Sequence, residues 1–293
     1  MSGTLYIVAT PIGNLSDMSE RAIETLRSVD LIAAEDTRNT SILLKRFDIR
    51  TPMSANHKFN ERETLSRFTG ELLAGKNIAV VSDAGTPCIN DPGYVLTREC
   101  AELGINVVGI PGPCAAATVV SVSGLPSDSF CFMGFFPRGK KEREDVISYI
   151  KGNRSELYVF YESPNRIEDA LSFIEKGLPE AKITLCNDLT KLHERIYRGS
   201  VGEVLSELSA NPNAGKGEYA FALYYESKEA AEDLTEPLSP EAMLTDLMVK
   251  RGCTLKEAVN ILASEPIPEY GGKVPAPKKE LYRASLSLKD MFS

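Results

Sequence analysis

The residues able to do chemistry gather in a few short segments, each just past an apolar run. Three of these are built from small and turn-forming residues. In Thr10-Pro11-Ile12-Gly13-Asn14-Leu15, proline stiffens the turn and glycine lets backbone come close to a ligand. On its own, an ordinary strand-to-helix turn explains this loop equally well. Ser82-Asp83-Ala84-Gly85-Thr86-Pro87 leads to Asn90-Asp91-Pro92-Gly93, a density of Gly, Pro and Asp beyond what one turn needs. It reads as a ligand cradle in which Asp83 accepts from an ammonium or hydroxyl group. Asp91, placed before Pro92, reads as a helix N-cap. The third segment, Gly109 to Thr118, passes through Pro111-Gly112-Pro113-Cys114 into Ala115-Ala116-Ala117. A helix opening on such small side chains leaves its N–H groups and positive dipole end available to a carboxylate; close helix–sheet packing is the competing explanation.

Proton-transfer chemistry needs groups that titrate near neutrality or are perturbed toward it. The candidates are Glu35 and Asp36 in Ala33-Ala34-Glu35-Asp36-Thr37-Arg38, and Lys191 and His193 in Leu189-Thr190-Lys191-Leu192-His193-Glu194. A structural ion pair competes as the explanation for the first segment, and a structural histidine for the second. Phe160-Tyr161-Glu162-Ser163-Pro164-Asn165-Arg166 is a further polar strand end. Nucleotide-loop templates fail. No G-x-G-x-x-G follows the first strand, and Gly70 to Asn77 resembles a P-loop but ends in Asn and runs from a helix into a strand. The six cysteines contain no C-x-x-C pair and there are two histidines, so neither a zinc site nor a disulfide framework is expected. Any cofactor is expected to be organic.

The elements that must position these segments alternate between strand and helix patterns, which indicates an α/β architecture. Strands are expected at Leu5 to Ala9, Val29 to Ala34, Ile78 to Val81 and Ile105 to Ile110. Capping patterns place helices after Asp17 with Glu20, after Asn60 with Glu63 up to Gly75, and from Asp91 to Gly104. Beyond Pro126, five more strands are expected, at 130–133, 157–161, 183–186, 196–198 and 219–225. Helices are expected from Pro164, capped by Ser163, and after Ser200 with Glu203. Several of these strands follow one another without a helix, which predicts a mixed sheet. A polar, acidic, proline-containing linker then precedes three short helices.

Composition is that of an ordinary globular protein, 43% hydrophobic and 25% charged. Neither a secretory leader nor a membrane span is expected, so the protein is read as soluble and cytoplasmic. The net charge of −8 argues against holding nucleic acid through the overall field. From Glu236 onward the Lys/Arg and Asp/Glu balance at eight each, so the preceding residues carry the whole excess. Basic clusters at Arg138, Lys140 and Lys141 and at Lys273, Lys278, Lys279 and Arg283 are candidate phosphate-binding patches. Solvated surface is the competing explanation.

The order of ATPIGNL, AAEDTR, SDAGTP followed by DPG, PGPCAA, SGLPSDSF, FYESPNR and TKLHE resembles the ribosomal RNA small subunit methyltransferase I family of the tetrapyrrole methylase superfamily. The resemblance runs from Leu5 to about Tyr225, and the tail is similar to that family's C-terminal extension. It implies two α/β domains with S-adenosylmethionine between them, at 1–115 and 116–227, a linker at 228–240 and a helical domain at 241–293. It also implies a homodimer. The implied cofactor-binding residues are Pro11, Gly13, Asp83, Gly85, Thr86, Ala115, Ala116 and Tyr161. The implied reaction is 2′-O-methylation of a decoding-site cytidine in 16S ribosomal RNA, free or in the assembled small subunit, with no metal. Family membership identifies no base, so Glu35, Asp36, Lys191 and His193 stand unranked. Two other readings remain open at this point: methylation of a corrin-like tetrapyrrole, and a non-catalytic, cofactor-binding, ribosome-associated protein.

Overall fold

The computed structural model describes residues 2–58, 60–153, 156–226, 238–264 and 277–291. The first sheet is formed by β1 (Thr4–Val8), β2 (Leu31–Ala34), β3 (Met53–Ala55), β4 (Ile78–Val81) and β5 (Asn106–Ile110), in the order β3-β2-β4-β1-β5. All of its pairings are parallel. A parallel sheet needs a crossover between strands and is covered on both faces. The crossovers are α1 (Glu20–Ser28), α2 (Thr37–Arg46), α3 (Glu61–Leu73) and α4 (Tyr94–Glu102). Accordingly there are two cores. Leu26, Ile32, Leu44 and Val81 pack on one face, and Leu5, Phe68, Leu72 and Leu96 on the other. β4 is buried throughout, as its unbroken Ile-Ala-Val-Val run requires.

The helix α5 (Ala115–Ser123) leads to a second sheet of β6 (Phe130–Phe135), β7 (Glu156–Glu162), β8 (Lys182–Asn187), β9 (Arg195–Ser200) and β10 (Tyr219–Tyr225), in the order β6-β7-β10-β8-β9. The β6–β7 pair is parallel and the other pairs are antiparallel, which gives the mixed sheet expected. One face takes α5 through Ala116 and Val119 against Leu157, Val159 and Ala222. The other is covered by α6 (Lys140–Gly152), α7 (Ile167–Gly177) and α8 (Val201–Ser209), with Phe136, Tyr158, Phe160 and Phe221 at its centre.

A separate unit contains α9 (Pro240–Arg251), α10 (Leu255–Ser264) and α11 (Lys278–Met291). Its own small core holds Leu244, Leu247, Leu262 and Leu281. Ser239 caps α9 and Thr254 pairs with Glu257 at the start of α10. Among the described residues no helix is long and apolar enough to cross a membrane.

Several expected helix starts move. Ser19, not Asp17, caps α1 by accepting from the Ala22 N–H at 3.1 Å, and Asp17 lies in a preceding 3₁₀ turn. Asn60 precedes α3 but turns its carboxamide oxygen to the His57 N–H. The helix expected from Asp91 begins at Tyr94 behind Gly93, which leaves the Asp91 carboxylate free of a capping role. The helix expected from Pro164 begins at Ile167, with no side-chain cap. Ser200 and Glu203 form the expected reciprocal box.

Candidate functional site

In open α/β sheets, ligands bind beyond the carboxyl ends of the strands. The neighbours β4, β1 and β5 deliver the three small-residue loops to one place, where hydrogen bonds stitch them together. Thr10 and Gly85 exchange backbone bonds of 2.8 and 3.0 Å. The Thr10 hydroxyl donates to the Ser82 carbonyl, and the Thr86 hydroxyl to the Pro113 carbonyl at 3.0 Å. Gly85 sits at φ +85°, a left-handed conformation that glycine adopts without strain, and a Cβ there would stand 3.4 Å from Ile12 Cγ2.

Above these loops lies a mostly apolar cleft of about 340 Å³, within the range of small-molecule sites. Ile12, Gly85, Thr86, Asp91, Cys114 and Ala115 form its floor. Strand ends of the second sheet form the opposite wall, including Phe135, Tyr161, Glu162, Leu189 and Glu218. Tyr161 ties the walls together, since its hydroxyl accepts the Ala116 N–H at 3.1 Å. Its ring is gripped by Phe132 and Phe135, at centroid distances of 4.8 and 5.9 Å. Burial, aided by the Cys114 sulfur, pushes its pKa up to about 12, so the hydroxyl stays neutral.

The acidic groups lie at the β2 and β4 ends. Glu35 accepts from the Asp83 N–H at 3.2 Å, while Asp83 accepts from the Asp36 N–H and the Asn39 carboxamide. Asp36 caps α2 and is forked by Arg38 at 2.6–3.2 Å, which draws its pKa down to about 2. Burial raises the Glu35 carboxyl, opposed by its bond to Asp83. Asp91 rises to about 6, first through burial and then through the negative charges of Glu35 and Asp83, while the Ser82 hydroxyl restrains the rise.

The loop after β8 is organised around Lys191. Its ammonium contacts Asp188 at 2.8 Å and Glu218 at 2.9 Å. Burial disfavours the charge, but these bonds outweigh it and the pKa is raised. Lys191 is thereby held as a cation. His193 is exposed on the same loop. Gly13 packs against that loop, where a Cβ would come within 2.6 Å of Lys191 Cγ.

Of the cofactor-binding residues expected, Gly85, Thr86, Ala115 and Tyr161 line the cleft. Pro11, Gly13, Asp83 and Ala116 flank it: Asp83 joins β2 to β4, and Ala116 belongs to the core beneath. Glu35, Asp36, Lys191 and His193 do not line it. Asp91, Phe135, Glu162 and Glu218 do; sequence reasoning assigned none of the four to the site, although Glu162 stood in a polar strand end it singled out. Asp91 lay within the singled-out loop, but the following proline gave it a capping role. Arg138, Lys140 and Lys141 are exposed at the start of α6, with Lys140 3.8 Å from Glu144. Lys278, Lys279 and Arg283 are exposed on α11, and Lys273 lies outside the described residues.

The family model for tetrapyrrole (corrin/porphyrin) methylases matches residues 4–205. The ribosomal RNA small subunit methyltransferase I of Escherichia coli O157:H7 is 46% identical, covering 89% of this chain and 90% of that protein. The protein of the same name from Haemophilus influenzae is 42% identical over 98% of each chain. Among solved structures, a diphthine synthase is 12% identical with a TM-score of 0.58, covering 76% of this chain and 90% of that one. Uroporphyrin-III-C-methyltransferase from Thermus thermophilus is 16% identical with a TM-score of 0.51, covering 79% and 95%. Such distant likenesses show the fold alone. Family model, relatives and sheet architecture agree: the chain belongs to the tetrapyrrole methylase family and, within it, to the ribosomal RNA small subunit methyltransferase I family.

Proposed function

We propose that this chain transfers a methyl group from S-adenosylmethionine to the ribose 2′-hydroxyl of a decoding-site cytidine in 16S ribosomal RNA, acting as a cytoplasmic homodimer. The substrate class rests on the names carried by relatives up to 46% identical. The ribose and cytidine assignments rest on the motif resemblance. The observation carrying the cofactor assignment is the cleft, where Gly85, Thr86, Ala115 and Tyr161 meet around a pre-formed, mostly apolar space.

The residues fit the cofactor. Gly85 and Ala115 leave room for backbone to approach a flat ring or ribose, and the apolar wall suits an adenine. Thr86 and the strand-end carboxylates supply the few polar groups that orient a ligand. The sulfonium, when bound, supplies an already activated methyl group, so the protein must mainly align the reacting atoms and exclude water. Alignment is the task of the stitched loops: Thr10–Gly85 and Thr86–Pro113 hold the floor, and Tyr161–Ala116 fixes the far wall relative to it. The domain limits 1–115 and 116–227 are proposed on the same basis, with α5 standing at the passage between the sheets.

The test is methyl transfer from labelled S-adenosylmethionine to small ribosomal subunits and to free RNA, followed by location of the label. An alkali-resistant dinucleotide carrying the label supports the reading. Label on a base, or labelling of a tetrapyrrole and not of RNA, would sink it.

A further inference from the structure

Phe135 stands where strand alternation would not put it. Along β6, Cys131 and Met133 pack into the core beneath α6, α7 and α8, while Phe132 packs on the α5 side. Continued alternation would send Phe135 into the core with Cys131 and Met133. Instead the β6–β7 register slips: Phe132 faces Val159 and Phe135 faces Tyr161, so three steps on β6 match two on β7. Such a bulge turns over every side chain that follows it. Gly134 supplies the bulge at φ +72°, a left-handed conformation that glycine adopts without strain. As a result Phe136 is buried in the core, and Phe135 lines the cleft with 51% of its surface exposed.

The turn that follows is held by two guanidinium groups. Arg166 donates to the Phe136 carbonyl at 2.6 Å and to the Pro137 carbonyl at 3.2 Å, and Arg143 donates to the Pro137 carbonyl at 2.8 Å. Each is anchored in turn, Arg166 by Glu162 at 2.8 Å and Arg143 by Asp169 at 2.7 Å. Phe135 therefore projects from a fixed turn, edge-on to Tyr161. Arg138, Lys140 and Lys141 emerge exposed from the same turn. Lys140 lies 3.8 Å from Glu144, whereas Arg138 and Lys141 make no ion pair among the described residues. Arg138 is three residues beyond Phe135, at most about 11 Å of chain.

A half-exposed phenyl ring beside free cations is what an unpaired nucleotide calls for, since the ring stacks on the base and the cations take phosphates. S-adenosylmethionine carries no phosphate, so these cations have nothing to hold on the cofactor. We propose that Phe135 is the platform on which the base of the target nucleotide stacks, with Arg138 and Lys141 holding the adjoining phosphates. The inference rests on the RNA-methylation reading above and adds the residue that presents the nucleotide to the cleft. Stacking on Phe135 takes the target base away from its neighbours in the RNA and brings its ribose to the cleft. The contact binds and positions; no bond is made or broken at Phe135.

The experiment uses the full chain and small ribosomal subunits. Phe135→Leu keeps apolar bulk and removes the ring, and Phe135→Tyr keeps the ring. Calorimetric affinity for S-adenosylmethionine should stay within about threefold in both, because Phe132 and the Ala116 N–H still hold Tyr161. Methyl transfer at subsaturating subunits should fall about tenfold or more in Phe135→Leu. The loss should appear in KM for subunits more than in kcat, and Phe135→Tyr should recover most of it. Should Phe135→Leu fold poorly, Phe135→Trp provides the second measurement, because the chain has no tryptophan of its own. Made with 5-hydroxytryptophan, it carries one fluorophore whose emission stacking should quench on adding subunits, and not on adding S-adenosylmethionine. A loss of transfer below about threefold in Phe135→Leu, or an unquenched fluorophore, overturns the proposal and leaves RNA methylation standing. Cofactor affinity lowered by more than about threefold would assign the ring to the cofactor and overturn it as well. So would dissociation of a wild-type dimer by Phe135→Leu in sedimentation, which would make the ring a contact between copies. Wild type that labels a tetrapyrrole and not RNA sinks the underlying reading, and this proposal with it.

Discussion

The Tyr161 hydroxyl accepts the Ala116 backbone N–H at 3.1 Å, and so joins β7 of the second sheet to the first turn of the helix that leaves the first sheet. The bond satisfies an N–H that helix geometry leaves without an internal partner. It also means that the α5 N-terminus, expected from the sequence to be open to a carboxylate, already has one N–H committed. Tyr161→Phe should leave that group half-buried and unpaired. The expected cost is about 1 kcal/mol of stability by denaturant titration, together with several-fold weaker S-adenosylmethionine binding. Unchanged cofactor affinity would remove Tyr161 from the site.

The floor of the cleft should tolerate no bulk. Ala115→Leu places extra carbons in the cleft without disturbing the backbone, so it should fold normally and lose calorimetric cofactor binding. Gly85→Leu faces two obstacles, the +85° backbone and Ile12 at 3.4 Å, so it should also lose about 1 kcal/mol or more of stability. Normal binding by both variants would place the cofactor elsewhere.

Asp91 also predicts a pH effect on stability that needs no activity measurement. Its folded pKa of about 6 lies above the ordinary aspartate value of 3.8. The folded state thus binds this proton more tightly, and stability falls as pH rises between those values. Glu35, raised as well, acts in the same direction; Asp36, lowered to about 2, acts oppositely, in a lower pH window. Because Asp91 is partly exposed, its share is on the order of 1 kcal/mol after solvent screening. Asp91→Asn should therefore be more stable than wild type at pH 7 by about that amount, with the difference vanishing toward pH 4. Equal stability at both pH values would contradict the raised pKa.

These expectations show where sequence reading succeeds and where it stops. Ile78 to Val81 is legible because a strand buried on both faces must be apolar throughout, and the Ser200/Glu203 pair because a capping box is local. Neither α2 nor α6 is legible in this way. The first opens on the polar run Asp36-Thr37-Arg38-Asn39, and the second is mostly charged, with Ile147 and Ile150 carrying its burial. The three-residue β3 is too short to show a period. Asp91 before Pro92 matches a helix start, yet the chain delays the helix to Tyr94 and releases the carboxylate. Half of the candidate site is hidden for a deeper reason. Glu162 and Glu218 reach the cleft only through the β7–β10 pairing, which no local pattern in the sequence encodes.

Lys191 offers a test that separates positioning from proton transfer. Bonded to Asp188 and Glu218, it ties the loop after β8 to the start of β10. Lys191→Met should lose less than about tenfold in turnover. A loss of roughly 10²-fold with cofactor binding intact would make it the base. His193→Ala, changing an exposed side chain, should be close to wild type.

The last prediction concerns RNA. A chain with a net charge of −8 must hold phosphates through local basic groups. Lys278, Lys279 and Arg283 are exposed on α11 beside Tyr282, which is 62% exposed and has the ring needed to stack on a base. The core beneath them uses Leu281 and Ala284 from the opposite side of the same helix, so changing the charges should not unfold the unit. Lys278→Glu combined with Lys279→Glu should weaken RNA binding in filter or fluorescence titrations. It should also reduce the log–log salt slope by about one unit for each phosphate no longer neutralised. Cofactor affinity should be unaffected, because every proposed cofactor residue belongs to the α/β unit. Arg138→Glu with Lys141→Glu tests the second patch in the same way. If either pair leaves both affinity and slope unchanged, that patch is solvated surface and not part of the RNA grip.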